Sequence, residues 1–307
     1  MPSLLKALES GHVLVSDGAW GTFLQKKGLK PGDCPEQWCL DHPDDVRDIA
    51  AAYLAAGADM VETNSFGGSR FKLEHYGLAE RTAEINEAAA ALSRQAAGPD
   101  RIVLGSIGPT GKMILLGDVT PQDFYNAFRE QARALEKGGA DACCIETFSD
   151  IEEAVQAIRA VRENTRLEII CTFTFDEVRP GEFRTMMGVT PTQMAEAVLE
   201  AGADVIGTNC GNGMSKMPGI VAELRQAAPH TPILVHANAG SPVNINGVDT
   251  FPETPAEMAG HIPAVVDAGA NIVGGCCGTT PDHIRAIREI LEQQGRRPPL
   301  SHSNATH

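Results

Sequence analysis

Four segments of this chain share one layout, in which a glycine ends a helical pattern and an apolar run follows at once. They are AAGADMVETN (55–64), KGGADACCIET (137–147), EAGADVIGTN (200–209) and DAGANIVGGCC (267–277). Glycine favours the left-handed conformation that closes many helices. A continuous apolar run is typical of a strand that is buried on both faces of a parallel sheet. The repeat therefore predicts helix-to-strand units that pack in one parallel sheet.

Four further apolar runs bring the number of predicted strands to eight, and helical patterns separate them. The strands are predicted at 13–18, 59–65, 101–108, 141–148, 167–175, 204–210, 232–240 and 271–277. Eight alternating repeats favour a closed (β/α)8 barrel over an open doubly wound sheet. No Gly-x-Gly-x-x-Gly follows the first strand, which weakens the dinucleotide-fold alternative. We therefore predict an α/β protein with a single TIM barrel over residues 1–295 and a disordered tail over 296–307.

The charge balance and the absence of apolar segments limit the expected partners. The chain has 25 Lys and Arg against 40 Asp and Glu, a net charge of −15. A surface this acidic argues against nucleic acid and against anionic membranes as partners. The N-terminal segment lacks the apolar core of a signal peptide, so we expect a cytoplasmic protein. Its eight cysteines are then expected to be reduced core thiols, metal ligands or catalytic groups.

Three cysteines stand at predicted strand ends, where barrels of this type carry their chemistry. Cys210 follows the sixth strand, and Cys276 and Cys277 follow the eighth between glycines. Three thiolates with one open position would form a catalytic zinc site. Neighbouring side chains of a regular strand point to opposite faces, so the glycines are interpreted as a break that lets both thiols reach one ion. A vicinal disulfide or plain packing is the alternative, and the mid-strand pair Cys143-Cys144 is interpreted as core packing.

Carboxyl groups at two other strand ends are candidate binding groups. Asp17 precedes Gly18 and Ala19, whose backbone N–H groups could face a ligand carboxylate. Glu146 ends the fourth strand and could bind an ammonium group. A turn-forming role for Asp17, a salt bridge for Glu146 and an acid/base pair of the two are the alternatives. His236 is interpreted as a barrel-lining histidine rather than as a fourth metal ligand.

Seven segments together resemble the homocysteine S-methyltransferase family. They are SDGAWGTFLQKKG, ETNSFGGSRFKLEHYGL, GSIGPTG, IETFSD, GTNCGNG, NAGSPV and VGGCCGTTPDHI. The similarity covers residues 10 to about 293 and is closest to the homocysteine-binding module of cobalamin-dependent methionine synthase. It implies a (β/α)8 barrel with a zinc ion on Cys210, Cys276 and Cys277 and the homocysteine sulfur as the fourth ligand. The substrate-binding residues that it implies are Asp17, Gly18, Ala19, Glu146 and Asn238.

The resemblance also implies a reaction, the methylation of homocysteine to methionine. Binding to zinc deprotonates a thiol, and the thiolate is the nucleophile. The sequence contains no counterpart of the folate and cobalamin modules of the full synthase, so a methylcorrinoid donor is expected on a separate protein. A sulfonium donor such as S-methylmethionine is an alternative, whereas three tyrosines offer no clear cage for betaine. Two other classes stay open, a non-catalytic zinc or redox-sensing barrel and a zinc-free acid/base enzyme.

Overall fold

Eight parallel strands alternate with helices in the computed structural model, which describes residues 2–245 and 248–298. The strands are β1 (Leu14–Val15), β2 (Met60–Glu62), β3 (Ile102–Ile107), β4 (Ala142–Phe148), β5 (Glu168–Phe173), β6 (Val205–Gly213), β7 (Ile233–Asn238) and β8 (Ile272–Gly275). Each strand from β2 to β7 pairs with the next one along the chain, and β8 pairs with β1. The predicted TIM barrel is confirmed.

The barrel closes between β1 and β2 through Asp59, which lies just before β2. Its N–H donates to the Val15 carbonyl at 2.7 Å, and its carboxylate accepts the Val15 N–H at 2.8 Å. The Arg297 guanidinium donates to the same carboxylate at 2.5 and 2.6 Å. Residues 296–298 of the predicted tail therefore pack against the barrel, and residues 299–307 lie outside the described part of the chain.

Eight helices cover the outside of the sheet. They are α1 (Pro43–Ala55), α2 (Thr82–Ala97), α3 (Pro121–Gly138), α4 (Ile151–Asn164), α5 (Pro191–Ala201), α6 (Met217–Ala227), α7 (Pro255–Asp267) and α8 (Pro281–Gln293). Helices α3, α5 and α7 each begin with a capping-box threonine followed by proline, the start signal that the sequence carries. Within the described ranges, no helix has both the length and the apolar character needed to cross a membrane.

Shorter elements lie in the connections. They are the helices Leu4–Leu8, Gly21–Lys27, Trp38–Asp41 and Arg70–Glu74, the 3-10 turns Ala79–Arg81, Ile114–Leu116 and Met214–Lys216, and the hairpins Asp176–Arg179 with Glu182–Arg184 and Val243–Ile245 with Val248–Thr250. The first helix closes the bottom of the barrel, where Leu4 is fully buried and its N–H donates to the Glu168 carboxylate at 2.6 Å. The hairpins extend the opposite end of the barrel, after β5 and β7.

The barrel interior has an apolar lower part and a polar upper part. Side chains alternate along each strand, so residues two apart face the same side of the sheet. The apolar inward positions belong to one core cluster, which includes Met60, Leu104, Cys144, Ile170 and Leu234. The next inward positions toward the strand ends are buried polar residues, namely Glu62, Ser106, Glu146, Thr172, Asn209 and His236. The buried polar groups of the barrel interior are therefore concentrated at the C-terminal ends of the strands.

Candidate active site

Three cysteine thiols meet at the C-terminal mouth of the barrel. The sulfurs of Cys210, Cys276 and Cys277 all lie within 4.8 Å of one another. The Sγ atoms of Cys210 and Cys277 are 3.9 Å apart. These three residues are partly exposed, whereas the other five cysteines are buried. The structure thus brings together the three cysteines that the sequence singled out, from strand ends 67 residues apart.

A tight turn directly after β8 aims two adjacent thiols at one point. The Cys276 carbonyl accepts hydrogen bonds from the Thr279 N–H at 3.2 Å and the Thr279 hydroxyl at 2.7 Å. Gly278, the third residue of this turn, has φ 80°. A positive φ at that position is the signature of a type II turn, which glycine fills without strain. Cys276 and Cys277 therefore lie beyond the pleated part of the strand.

Cys210 reaches the same point through an irregularity in β6. The pairing of β6 with β7 shifts register between Asn209 and Gly213. Cys210 has φ 60°, a left-handed conformation that costs a non-glycine residue about 1–2 kcal/mol. The Thr174 hydroxyl, just past the end of β5, donates a hydrogen bond to the Asn209 carbonyl at 2.9 Å. This contact stabilises the bend in β6. Backbone strain at a bulge is a common feature of functional sites.

The thiol cluster fits zinc in its chemistry and in its spacing. Tetrahedral zinc with bonds of about 2.3 Å to sulfur places two sulfurs about 3.8 Å apart. The 3.9 Å between Cys210 and Cys277 agrees with that value. Hydrogen bonds from the thiols of Cys276 and Cys277 lower the pKa of Cys210, whereas the hydrogen bonds of Cys276 with Cys210 and Cys277 raise the pKa of Cys276.

Glu146 is buried beside the thiol cluster, at the inner wall of the mouth. Its carboxyl group accepts a hydrogen bond from the Ser106 hydroxyl, and Asn209 Nδ2 donates to the second oxygen at 3.4 Å. Burial raises the pKa of Glu146 to about 7. The next residue, Thr147, has φ 64°, and Asn209 Oδ1 accepts its N–H at 2.8 Å. Asn209 therefore orients the end of β4 as well as Glu146 itself.

Asp17 has no exposed surface, and its oxygens already have donors. Trp20 Nε1 and the Glu62 N–H donate to Oδ2 at 2.9 and 2.8 Å. The Ser16 hydroxyl donates to Oδ1 at 3.3 Å. Burial raises the pKa of Asp17 to about 6. The residue thus ties the end of β1 to β2 and adds a buried acidic group to the upper barrel.

The segment after Asp17 is packed against the turn that follows β8. The Ala19 N–H donates to Thr279 Oγ1 at 3.0 Å, so it is not directed at open space as the sequence interpretation required. A Cβ at Gly18 would lie 2.6 Å from the same Thr279 oxygen, which explains the need for glycine. Asn238, the last residue of β7, hydrogen-bonds to the Cys210 sulfur and is 3% exposed. Its Oδ1 has no hydrogen-bond partner among the described residues.

Glu62 and Asn209 also line this site and are not among the site residues predicted from the sequence. Both are inward-facing polar residues at the C-terminal ends of strands. This is the same position in the barrel that identifies Glu146 as a candidate. His236 lies in the barrel interior, as interpreted, with Nδ1 3.7 Å from Glu62 Oε1. Burial lowers the pKa of His236 to about 3, so this histidine is neutral at physiological pH. It faces the carboxyl groups and is not part of the thiol cluster.

Exposed apolar side chains form a partial rim at the mouth of the barrel. Every large apolar side chain that is exposed in the described part of the chain lies in the connection that follows β2, β3, β5 or β7. The rim residues are Phe66, Tyr76, Met113, Leu116, Val178, Met186 and Val243. A cavity of about 360 Å³ opens between these loops and is lined by Met113, Met186 and Met187 together with Asp150, Glu153 and Asp176.

Comparisons with known proteins agree with this architecture. The homocysteine S-methyltransferase family model matches residues 14–291. The methionine synthase of Mycobacterium leprae is 35% identical over 293 residues, or 90% of this chain, and that of Mycobacterium tuberculosis is 34% identical over 297 residues, or 91%. The chain spans only about a quarter of the length of these relatives, 24% in each case.

Solved structures show the same fold. The homocysteine methyltransferase MmuM from Escherichia coli in its metallated form superposes with a TM-score of 0.77 at 23% identity, covering 93% of this chain and 99% of that one. Its oxidized form gives a TM-score of 0.76 at 24% identity, covering 93% and 98%. At these identities the likeness demonstrates the barrel architecture.

Proposed function

Because the chain belongs to the homocysteine S-methyltransferase family, we propose that it methylates homocysteine to methionine at a zinc site formed by Cys210, Cys276 and Cys277. The main support is the meeting of three thiols within 4.8 Å at the barrel mouth. Three sulfur ligands leave one position of a tetrahedral zinc for a substrate. A zinc ion bound there would keep the substrate thiol deprotonated, which makes it a nucleophile near neutral pH.

We assign the polar upper barrel to the amino-acid part of the substrate. Glu146 and Asp17 provide acidic groups for the ammonium end; burial raises the pKa of each, and a bound ammonium group would stabilise the ionised carboxylates. The backbone at Gly18 and Ala19 and the side chain of Asn238 are assigned to the carboxylate. For Ala19 this requires its N–H to leave Thr279 when substrate binds. Holding both ends fixes the thiol above the three cysteines.

We propose that a methylcorrinoid protein supplies the methyl group. In the transfer, the carbon–sulfur bond forms as the bond between methyl and donor breaks, and the bonding electron pair stays with the donor. No proton moves in this step, which leaves Asp17 and Glu146 free to bind. The apolar rim supports a protein-borne donor, because exposed apolar clusters on soluble proteins mark interaction surfaces and methionine adapts well to a partner.

A small sulfonium donor such as S-methylmethionine is the second candidate. The cavity of about 360 Å³ beside the rim has the size of a small-ligand site. Three methionines line it together with three acidic residues, Asp150, Glu153 and Asp176. Lys112 is the one basic residue among the described residues of this lining, so the acidic groups outnumber it. Such a lining suits a cationic ligand with apolar substituents.

A donor screen tests both candidates. The purified protein would be assayed for zinc content and for methionine formation from homocysteine with free methylcobalamin, S-methylmethionine, betaine or dimethylsulfoniopropionate. We expect activity with methylcobalamin and a zinc content of one per chain. Met186→Glu should slow transfer from a methylcorrinoid carried on a protein more than transfer from free methylcobalamin. Full activity after complete removal of zinc would refute the proposed mechanism, and activity only with a sulfonium would select the second donor.

A further inference from the structure

We infer that Glu62 is a further substrate-binding residue, a hydrogen-bond acceptor for the ammonium group of the amino-acid substrate. The inference rests on the proposed function and extends it. Glu62 is the last residue of β2 and faces into the upper barrel. Its Oε1 is buried and has no hydrogen-bond partner among the described residues. Most buried polar atoms in folded proteins have a hydrogen-bond partner, and this free acceptor in the upper barrel suits a hydrogen-bond donor of the substrate.

The surroundings of Glu62 hold it at the substrate position. Its backbone N–H donates to Asp17 Oδ2 at 2.8 Å, which joins the ends of β1 and β2. The Cys144 thiol hydrogen-bonds to the Glu62 carboxyl from the apolar layer below. His236 Nδ1 lies 3.7 Å from Oε1, which is too long for a hydrogen bond. Glu62 is therefore positioned from two sides while one oxygen stays available.

Glu62 differs in this respect from the two acids that the sequence selected. Asp17 has no exposed surface and already accepts hydrogen bonds from Trp20, Ser16 and the Glu62 backbone. Glu146 already accepts a hydrogen bond at each oxygen. An ammonium group carries three N–H donors, and each needs an acceptor when it is buried. Glu62 Oε1 receives no hydrogen bond from the described residues, so it can accept one from the ammonium group.

A cation bound at the same place would stabilise the ionised form of Glu62. Burial raises the pKa of Glu62 well above its usual value, and the nearby carboxyl groups of Glu146 and Asp17 raise it further. His236 is neutral because burial lowers its pKa to about 3, so it does not neutralise this acid. A substrate ammonium group would offset the mutual repulsion of the three carboxyl groups. In this arrangement Asp17 holds Glu62, and Glu62 adds an acceptor for the ammonium group to those already assigned.

The experiment compares two ligands that differ only in the amino group. Homocysteine and 4-mercaptobutanoate share the thiol and the carboxylate, and calorimetry on the zinc-loaded full chain would measure the affinity of each. Wild-type protein should prefer homocysteine. Glu62→Gln should weaken homocysteine binding about 10- to 100-fold, the range for a hydrogen bond between charged groups, and should change the affinity for 4-mercaptobutanoate little. Zinc content should stay at the wild-type level.

Controls separate binding from structure. Glu168→Gln removes a carboxyl at the opposite end of the barrel, where it accepts the Leu4 N–H, and should leave the ratio of the two affinities unchanged. Should Glu62→Gln fold poorly, Glu62→Asp shortens the side chain by one methylene, retains the charge and should lower the same ratio. An equal loss for both ligands, or an unchanged ratio, would overturn the role of Glu62. A wild-type protein that binds neither ligand would refute the proposed function itself.

Discussion

The chain contains two pairs of adjacent cysteines, and their surroundings differ completely. Cys143 and Cys144 lie within β4, and both are fully buried. Cys143 packs between the sheet and the helices, whereas Cys144 faces the barrel interior. Cys276 and Cys277 lie just past β8 and point with Cys210 to one place. The same Cys-Cys dipeptide therefore packs in the core when it lies within β4, and it contributes to a candidate metal site when it follows β8.

The backbone accounts for this difference. Within a regular strand, adjacent side chains must take opposite faces, so one ion cannot bind both sulfurs of Cys143-Cys144. The turn closed by Thr279 and Gly278 removes that constraint for Cys276-Cys277. Burial also raises the pKa of Cys143, which keeps that thiol protonated and unreactive. Reactivity thus depends on where the strand ends rather than on the cysteines themselves.

The largest expected effect comes from removing one sulfur of the cluster. Cys277→Ser should reduce zinc content from one per chain to background and abolish methionine formation, because two thiols and a hydroxyl hold zinc poorly. Elemental analysis of the purified variant and an assay with homocysteine would measure both. Cys143→Ser, in the buried pair, should retain zinc and is the matched control. Normal zinc content in Cys277→Ser would assign the metal to other ligands.

A smaller effect is expected when the cysteines stay and only the turn changes. Gly278→Ala forces a side chain into φ 80° and against the Phe251 side chain, which should lower zinc affinity and the free energy of unfolding. Gly11→Ala is the control, since Gly11 has φ 72° with open space around it and should cost only the conformational term of about 1–2 kcal/mol. Competition with a zinc chelator and chemical denaturation would measure the two quantities. Equal effects of both substitutions would show that the turn does not shape the site.

The smallest effect is expected in the buried pair. Cys143→Ala should reduce stability by about 1–2 kcal/mol, since it deletes one sulfur from a packed core. Zinc content and methyl transfer should not change. Thiol labelling of the zinc-free protein should modify Cys210, Cys276 and Cys277 in the folded state, and Cys143 and Cys144 only after denaturation. Rapid labelling of Cys143 in the folded protein would contradict the packing assignment.

The sequence pattern predicts that each of the eight strands exists more accurately than it predicts the residue at which each strand ends. The sequence predicts the last strand at 271–277 and the second at 59–65, whereas these strands end at Gly275 and Glu62. In both cases the residues that follow no longer pair with the neighbouring strand. Strand β6 shows the opposite error, since it continues past Cys210 to Gly213 through a change of register. Local hydrophobicity cannot report such bends, because partners on neighbouring strands cause them.

The sequence by itself determined the α/β alternation, the family and the three cysteines, because a period of apolar residues and a set of motifs are local properties of the chain. Tertiary structure decided how the site is assembled. The 3.9 Å between Cys210 and Cys277 exists only because the barrel closes over 67 residues. Likewise, the Ala19 N–H is engaged by Thr279 and Glu62 Oε1 is left without a partner. The hydrogen-bond partners of a buried group come from distant strands, so they become known only when the chain is folded.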